Sequence, residues 1–434
     1  MFEDLLKSFQ EAYRNLELLP LVEQKDLDRF RVDYGNEVIE ELEQLVEDSP
    51  NGDGKIIFTG HRGCGKSTLL AEFSRRLSDR YFVVSFSIAD TIEMSDVNHI
   101  NILFAIALNL MSEAEARRLE ISSSTKDSLH KWFATRTKTE EKNLQAEVSA
   151  ELTPGWNLLK LISAKLKADA AVRYEIKQEF ERKISDLVAR INEIAAIIQV
   201  TTKKDILVII DDLDKLELGR VNEIYRDNIK ALCLPNFRII YTIPIAVLRD
   251  KFLRPLIETE TNDQIVVMPV IKLFEKGKNR LPDAHPRKEA TDVLCEILTK
   301  RVSQELIDAE AANNIVLQSG GILRELIRIA NECCRICLRL IRRKTSQKII
   351  INDEILDIAV NNIRNDFAIP LGKLDYEILQ KTYEQFMPDD PKDPEFLDLL
   401  HGLYVLEYRN RQNWYDVHPI VVELLREQGL INGT

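Results

Sequence analysis

The chain has 434 residues, 45% of them apolar and 30% charged, and a formal net charge of −12. That length allows two or three domains, each with its own core, and the acidic balance argues against nonspecific nucleic-acid binding by the whole surface. No apolar run approaches the roughly 20 residues that span a bilayer, and six cysteines without regular spacing make no disulfide framework; no membrane contact and a cytoplasmic location are expected.

The opening MFEDLLKSFQEAYRNLELL is amphipathic and acidic, unlike a secretory signal. It begins a helical segment, up to about Asp48, expected to pack against the body of the protein. KIIFT at 55–59 then reads as a strand and STLLAEFSRRL as a helix. Between them Gly60-His61-Arg62-Gly63-Cys64-Gly65-Lys66-Ser67 fits G-x-x-x-x-G-K-[ST]. The glycines let backbone N–H groups turn inward and cradle phosphate oxygens. Lys66 supplies a point charge to the β- and γ-phosphates, Ser67 a hydroxyl ligand to Mg²⁺, and the helix that follows its N-terminal dipole. The nucleotide-binding set therefore runs from Gly60 through Thr68. Cys64 could expose its thiol to oxidation there.

YFVVSFS at 81–87 is a second apolar strand, and ILVIIDDLDK at 206–215 a third, whose unbroken apolar run suits a parallel strand buried on both faces. Ligands of open α/β sheets sit at the carboxyl ends of strands. Asp211 is accordingly expected to serve Mg²⁺, and Asp212 to polarise the attacking water as general base. The position of 81–87 between the two motifs suits the P-loop branch in which an extra strand separates the P-loop strand from the acidic one. FRIIYTIP at 237–244 places Thr242 near a strand end, where it can sense the γ-phosphate or orient water. DQIVVMPVIKL at 264–274 reads as the fifth strand. Five strands alternating with helices imply an α/β fold, a parallel sheet with helices on both faces.

The segment 112–203 is longer than an αβ crossover requires. Its first half, SSSTKDSLHKWFATRTKTEEKN, is polar and suggests mobility. In its second half Ile176, Phe180, Ile184, Leu187, Ile191, Ile194 and Ile198 repeat at spacings of four and three, a helix with one apolar seam. It is either a partner-docking arm or a strut packed on the lid.

Through GHRGCGKST, LVIIDDLD, IIYTIP and SGGILRELIRIANE at 319–332, the chain resembles the AAA+/STAND group of P-loop ATPases, closest in layout to origin-recognition-type members. The resemblance runs from about residue 30 to the end. It implies ATP and Mg²⁺ as ligands, a helical lid after the sheet, and an Arg near a G-x-x-R turn that reaches the γ-phosphate, here Arg324. It also places Val32 and Tyr34, in RFRVDYG, against adenine. The acidic strand ends in Asp-Asp where many such ATPases have Asp-Glu, which implies slow or partner-stimulated hydrolysis. Arg249 and Arg254 are candidates for an arginine finger supplied to a neighbouring subunit; exposed helical arginines are the alternative.

With about 100° per residue, Arg324, Arg328, Arg335, Arg339 and Arg342 share one face of a helix, and residues 320–348 carry eight Lys/Arg against two acids. This stripe admits nucleic acid or an acidic partner surface; an exposed face paired with the protein's own carboxylates is preferred. Cys333, Cys334 and Cys337 lie near the apolar face and read as core, with no second pair to complete a zinc site. The last part, KLDYEILQKTYEQF to the end, reads as helix, turn, helix, two-stranded wing and helix. It looks like a winged helix, but residues 366–434 hold six Lys/Arg and thirteen Asp/Glu, so it is read as protein-facing or autoinhibitory.

The expected organisation is residues 1–54 as an N-terminal helical segment and adenine-side linker, 55–275 as the ATPase core with 112–203 inserted, 276–365 as the lid and 366–434 as the winged helix. The function expected is a switch ATPase that couples nucleotide state to homo-oligomerisation or control of a protein partner, for instance in a bacterial conflict or stress system. A DNA-associated ATPase and a nucleotide-holding scaffold with negligible turnover are the competing classes.

Overall fold

The computed structural model describes residues 2–139, 154–343, 349–409 and 412–432. The five expected strands form: β1 (Lys55–Gly60), β2 (Tyr81–Ser87), β3 (Asp205–Asp211), β4 (Arg238–Pro244) and β5 (Ile265–Met268). They make one sheet in the order β2-β3-β4-β1-β5. β2 pairs in parallel with β3, Tyr81 opposite Asp205 through Ser87 opposite Asp211, and β3 in parallel with β4. Ile206 to Ile210 are fully buried, as a strand covered on both faces requires. One expectation is corrected. The strand that separates β1 from β3 is β4, whereas 81–87 forms the sheet edge beyond β3.

The chain divides into two compact units, one of Met1–Glu37, Gly60–Leu69 and Val267–Thr434, the other of Val38–Thr59 and Leu70–Val266. The second unit holds the sheet up to Thr59 and Val266, together with the insertion. Among the insertion's described residues the polar first half is not irregular. Ser123–Thr137 is a helix, N-capped by Ser122 and burying Leu129 and Phe133. The apolar seam is real but broken: helices Ala170–Glu181 and Ile184–Thr202 are separate, because Arg182 and Lys183 leave the helix between them. Both pack on His99–Ala116 of the same unit, where Trp132, Phe104 and Phe180 form an aromatic cluster. Arg173 is buried there and pairs with Asp96 at 2.6 Å. Residues 140–143, the end of the polar stretch, lie outside the described residues.

In the first unit, the helix Phe2–Asn15 packs along Leu323–Arg342, buried through Phe9, Ala12 and Leu16. The C-terminal part has the helices Lys373–Gln385 and Pro394–His401, then β6 (Val405–Arg409) antiparallel to β7 (Asn413–Val417), then Pro419–Glu427. That is the expected element order. Leu406, Tyr408 and Trp414 of the ribbon join Val270 and Ile322 in one apolar cluster. Arg280 stands between Tyr383 and Phe386, 3.7 and 3.8 Å from their ring centres, and pairs with buried Asp416 at 2.7 Å. Among the described residues no helix is long and apolar enough to cross a membrane.

Candidate nucleotide-binding site

β1 ends at Gly60, and the motif turns through Gly63 (φ +81°) and Gly65 (φ +103°), conformations that side chains rarely adopt. The space is as restrictive as the backbone. A Cβ on Gly63 would come within 2.4 Å of Arg324 Cβ, and one on Gly65 within 3.0 Å of Leu323. The loop is thus shaped to present backbone amides, and Lys66, buried at 4% exposure, donates to the carbonyls of Gly60 and His61 at 2.9 and 2.8 Å. Ser67 opens the helix Lys66–Leu77 and is half-buried. Arg62 is half-buried as well. This donor set fits a polyphosphate with its divalent cation.

Within the same unit the structure brings three further segments to the loop. Arg324 N donates to Gly63 O at 3.0 Å, so the helix Leu323–Arg342 begins on the loop itself. His61 Nε2 accepts from Glu407 N of β6 at 2.8 Å. Leu21 N donates to Thr68 Oγ1 at 3.1 Å. Val32 is buried, and Tyr34 donates its hydroxyl to Pro269 O at 2.7 Å; burial raises the Tyr34 phenol, with Cys64 as its neighbour. Sequence gave no sign of the His61–Glu407 or Leu21–Thr68 contacts, because both join segments far apart in the chain through backbone N–H groups. Cys64 is only 1% exposed, so an open thiol is ruled out.

In the other unit, Asp211 closes β3 and Asp212 follows with φ +69°. Asp211, Asp212 and Asp214 offer oxygens within 4.8 Å of one another. Asp212 accepts from Ser87 Oγ at 2.6 Å and pairs with Lys215 at 2.5 Å. Thr242, fully buried, accepts from Leu213 N at 3.0 Å and donates to Ile210 O at 3.2 Å. Its one proton is therefore on a carbonyl, and the hydroxyl fixes the turn that carries the acids. Arg249 is half-buried, and exposed Arg254 pairs with Glu258 one turn on at 2.7 Å.

The arginine stripe resolves into two parts. Arg328 pairs with Glu325 and Asp366, and Arg335 with Glu332, as the preferred reading expects. Arg339 and Arg342 have no such partner among the described residues. Residues 344–348 lie outside them. Cys333, Cys334 and Cys337 are fully buried, and burial pushes the Cys337 thiol up to about 12; they are core.

A family comparison gives the same answer as the loop. Residues 36–240 match the KAP family P-loop domain. This segment is a KAP family P-loop NTPase domain. The P-loop NTPase domain binds nucleotide, and its α/β sheet is the scaffold for it. Among solved structures, the chain is similar to Cdc6p from Pyrobaculum aerophilum, with a TM-score of 0.40 and 12% identity over 95% of this chain and 97% of that one. It is similar also to the Aeropyrum pernix Orc1 protein in complex with DNA, with a TM-score of 0.40 and 13% identity over 96% and 97%. A third is Drosophila ORC bound to DNA, with a TM-score of 0.37 and 12% identity over 96% and 92%. No curated protein matches the chain.

Proposed function

We propose that the protein is a cytoplasmic, Mg²⁺-dependent ATPase switch, in which the nucleotide held at Gly60–Thr68 sets the state of the helix Leu323–Arg342 and of the C-terminal ribbon. The observation that carries this reading is the hydrogen bond from Arg324 N to Gly63 O, 3.0 Å long. A loop that rearranges around phosphates must move the helix built on it.

In this reading Lys66 neutralises the β- and γ-phosphates, Ser67 and Asp211 serve Mg²⁺, and Arg324 senses the γ-phosphate. Val32 and Tyr34 border the base. Asp212 is the general base, held in place by Ser87, and Thr242 is a positioning residue that acts through the acidic turn. The ion pair of Asp212 with Lys215 supports slow intrinsic turnover that a partner would accelerate by drawing Lys215 away. We assign the core to 55–275, the lid to 276–365 and a winged helix to 366–434, the output being homo-oligomerisation or control of a protein partner. The excess of acids in 366–434 supports a protein over a nucleic acid as that partner.

The test is ATP affinity, phosphate release and light-scattering mass for three proteins. Lys66→Ala should weaken ATP binding roughly 10- to 100-fold, the loss of a charge-assisted contact. Asp212→Asn should keep ATP binding and any ATP-driven assembly while turnover falls about 10²- to 10⁴-fold. Unchanged turnover in Asp212→Asn would remove it as the base; a constant monomer with no turnover would leave the nucleotide-holding scaffold.

A further inference from the structure

The two arginines that the stripe leaves unpaired, Arg339 and Arg342, meet another from elsewhere, Arg14. At the C-terminal half of Leu323–Arg342, its face against the helix Phe2–Asn15 leaves a cleft of about 440 Å³, walled by Arg335, Arg339 and Arg342 on one side and Gln10, Tyr13 and Arg14 on the other. Only Arg335 has a carboxylate, Glu332 at 2.6 Å; Arg14 donates its Nε to the Gln10 carbonyl at 3.2 Å. Among the described residues no Asp or Glu pairs with Arg14, Arg339 or Arg342. The chain has 71 acids against 59 bases, so this concentration of uncompensated cations is a local exception. Placement near helix C-termini would favour each arginine on its own helix. It does not explain why two helices aim theirs into one cleft, where like charges repel unless an anion lies between them.

The form of the cleft decides the class of anion. Its volume suits a small molecule, not the extended track a duplex needs, and the surrounding protein is acidic. Guanidinium forks match phosphate oxygens bidentately, and the Tyr13 ring, 38% exposed at the rim, offers a face on which a base can stack. Both walls lead to the P-loop: one through Arg324 N on Gly63 O, the other through Leu21 N on Thr68 Oγ1. We propose that this cleft is a second anion site, which takes a small ligand bearing two or more phosphates and is coupled through both helices to the P-loop. The binding stands on its own; the coupling rests on the P-loop being the nucleotide site.

The experiment uses full-length Lys66→Ala, in which phosphate binding at the P-loop is weakened, titrated calorimetrically with inorganic tripolyphosphate. One tripolyphosphate should bind per chain, more weakly as salt rises. Adding Arg339→Gln and Arg342→Gln should weaken it at least tenfold, and the paired lysine substitutions, which keep charge but lose the fork, should fall between. An unchanged melting temperature certifies the fold. ADP in the same background, with and without Tyr13→Ala, separates a nucleotide, whose affinity falls with Tyr13, from a bare polyphosphate, whose affinity does not. No binding, or binding indifferent to Arg339 and Arg342, overturns the site. A 20-nucleotide single strand that binds more tightly through the same arginines overturns the small-ligand assignment. Binding that leaves hydrogen exchange of residues 60–69 unchanged overturns the coupling.

Discussion

His418 shows how much of this site is set by single buried groups. It caps the helix Pro419–Glu427, with Nδ1 accepting from Ile420 N at 3.3 Å, and stacks on Phe367. Burial first, then the charge of Arg328 and the proximity of His61, push its pKa down to about 3. A depressed folded value means that below about pH 6.5 the unfolded chain binds a proton which the folded one refuses. Stability from this group is therefore full above that pH and is lost as pH falls toward 3. Between pH 6.5 and 5 the loss should be about 1.6 kcal/mol, the slope reaching its full ~1.4 kcal/mol per unit only below the unfolded pKa. His418→Asn keeps a capping oxygen and cannot titrate, so denaturant melts should show a shallower decline over that window; an equal decline would place the titration elsewhere. At Gly63 the constraint is steric. Gly63→Ala should weaken both ATP binding and the docking of Arg324, because φ +81° and a 2.4 Å approach to Arg324 Cβ leave no room for a methyl; unaltered affinity would mean that the loop and helix separate freely.

At the scale of elements, the P-loop strand, the acidic strand and the basic helix were legible because each announces itself locally: an apolar run into a glycine motif, an apolar run into acids, arginines at helical spacing. The order of the strands was not. Nothing in 81–87 or 237–244 says which lies beside β1, since both are apolar runs of similar length and neighbours are chosen by packing across the sheet. The break at Arg182–Lys183 was also hidden, because the spacing of Phe180, Ile184 and Leu187 continues straight through it. What holds the ribbon β6–β7 to its unit was equally silent in the sequence. Arg280 is far from Asp416 in the chain, yet it pairs with that buried carboxylate between two aromatic rings. Arg280→Ala should cost about 3–5 kcal/mol, because buried Asp416 would lose its ion partner, and Arg280→Ala with Asp416→Asn should recover part of it. A loss below 1 kcal/mol would show that the pair is not stabilising.

Across the whole molecule, the P-loop is not only an appendage of the sheet. The loop, the helix Leu323–Arg342, the N-terminal helix and the C-terminal ribbon belong to one compact unit, tied by Arg324 N to Gly63 O, Leu21 N to Thr68 Oγ1 and Glu407 N to His61 Nε2. A nucleotide that reshapes the loop must strengthen or break those bonds. The most direct test is amide hydrogen exchange of the full-length protein, with and without ATP·Mg²⁺, beside Lys66→Ala under the same conditions. ATP·Mg²⁺ should change protection at Arg324, Leu21 and Glu407 together, and in Lys66→Ala, with Arg339 and Arg342 also replaced by Gln, the response should need roughly 10- to 100-fold more ATP. Protection that changes within residues 60–69 alone would contradict the account: the protein would then bind nucleotide without passing its state to helix or ribbon.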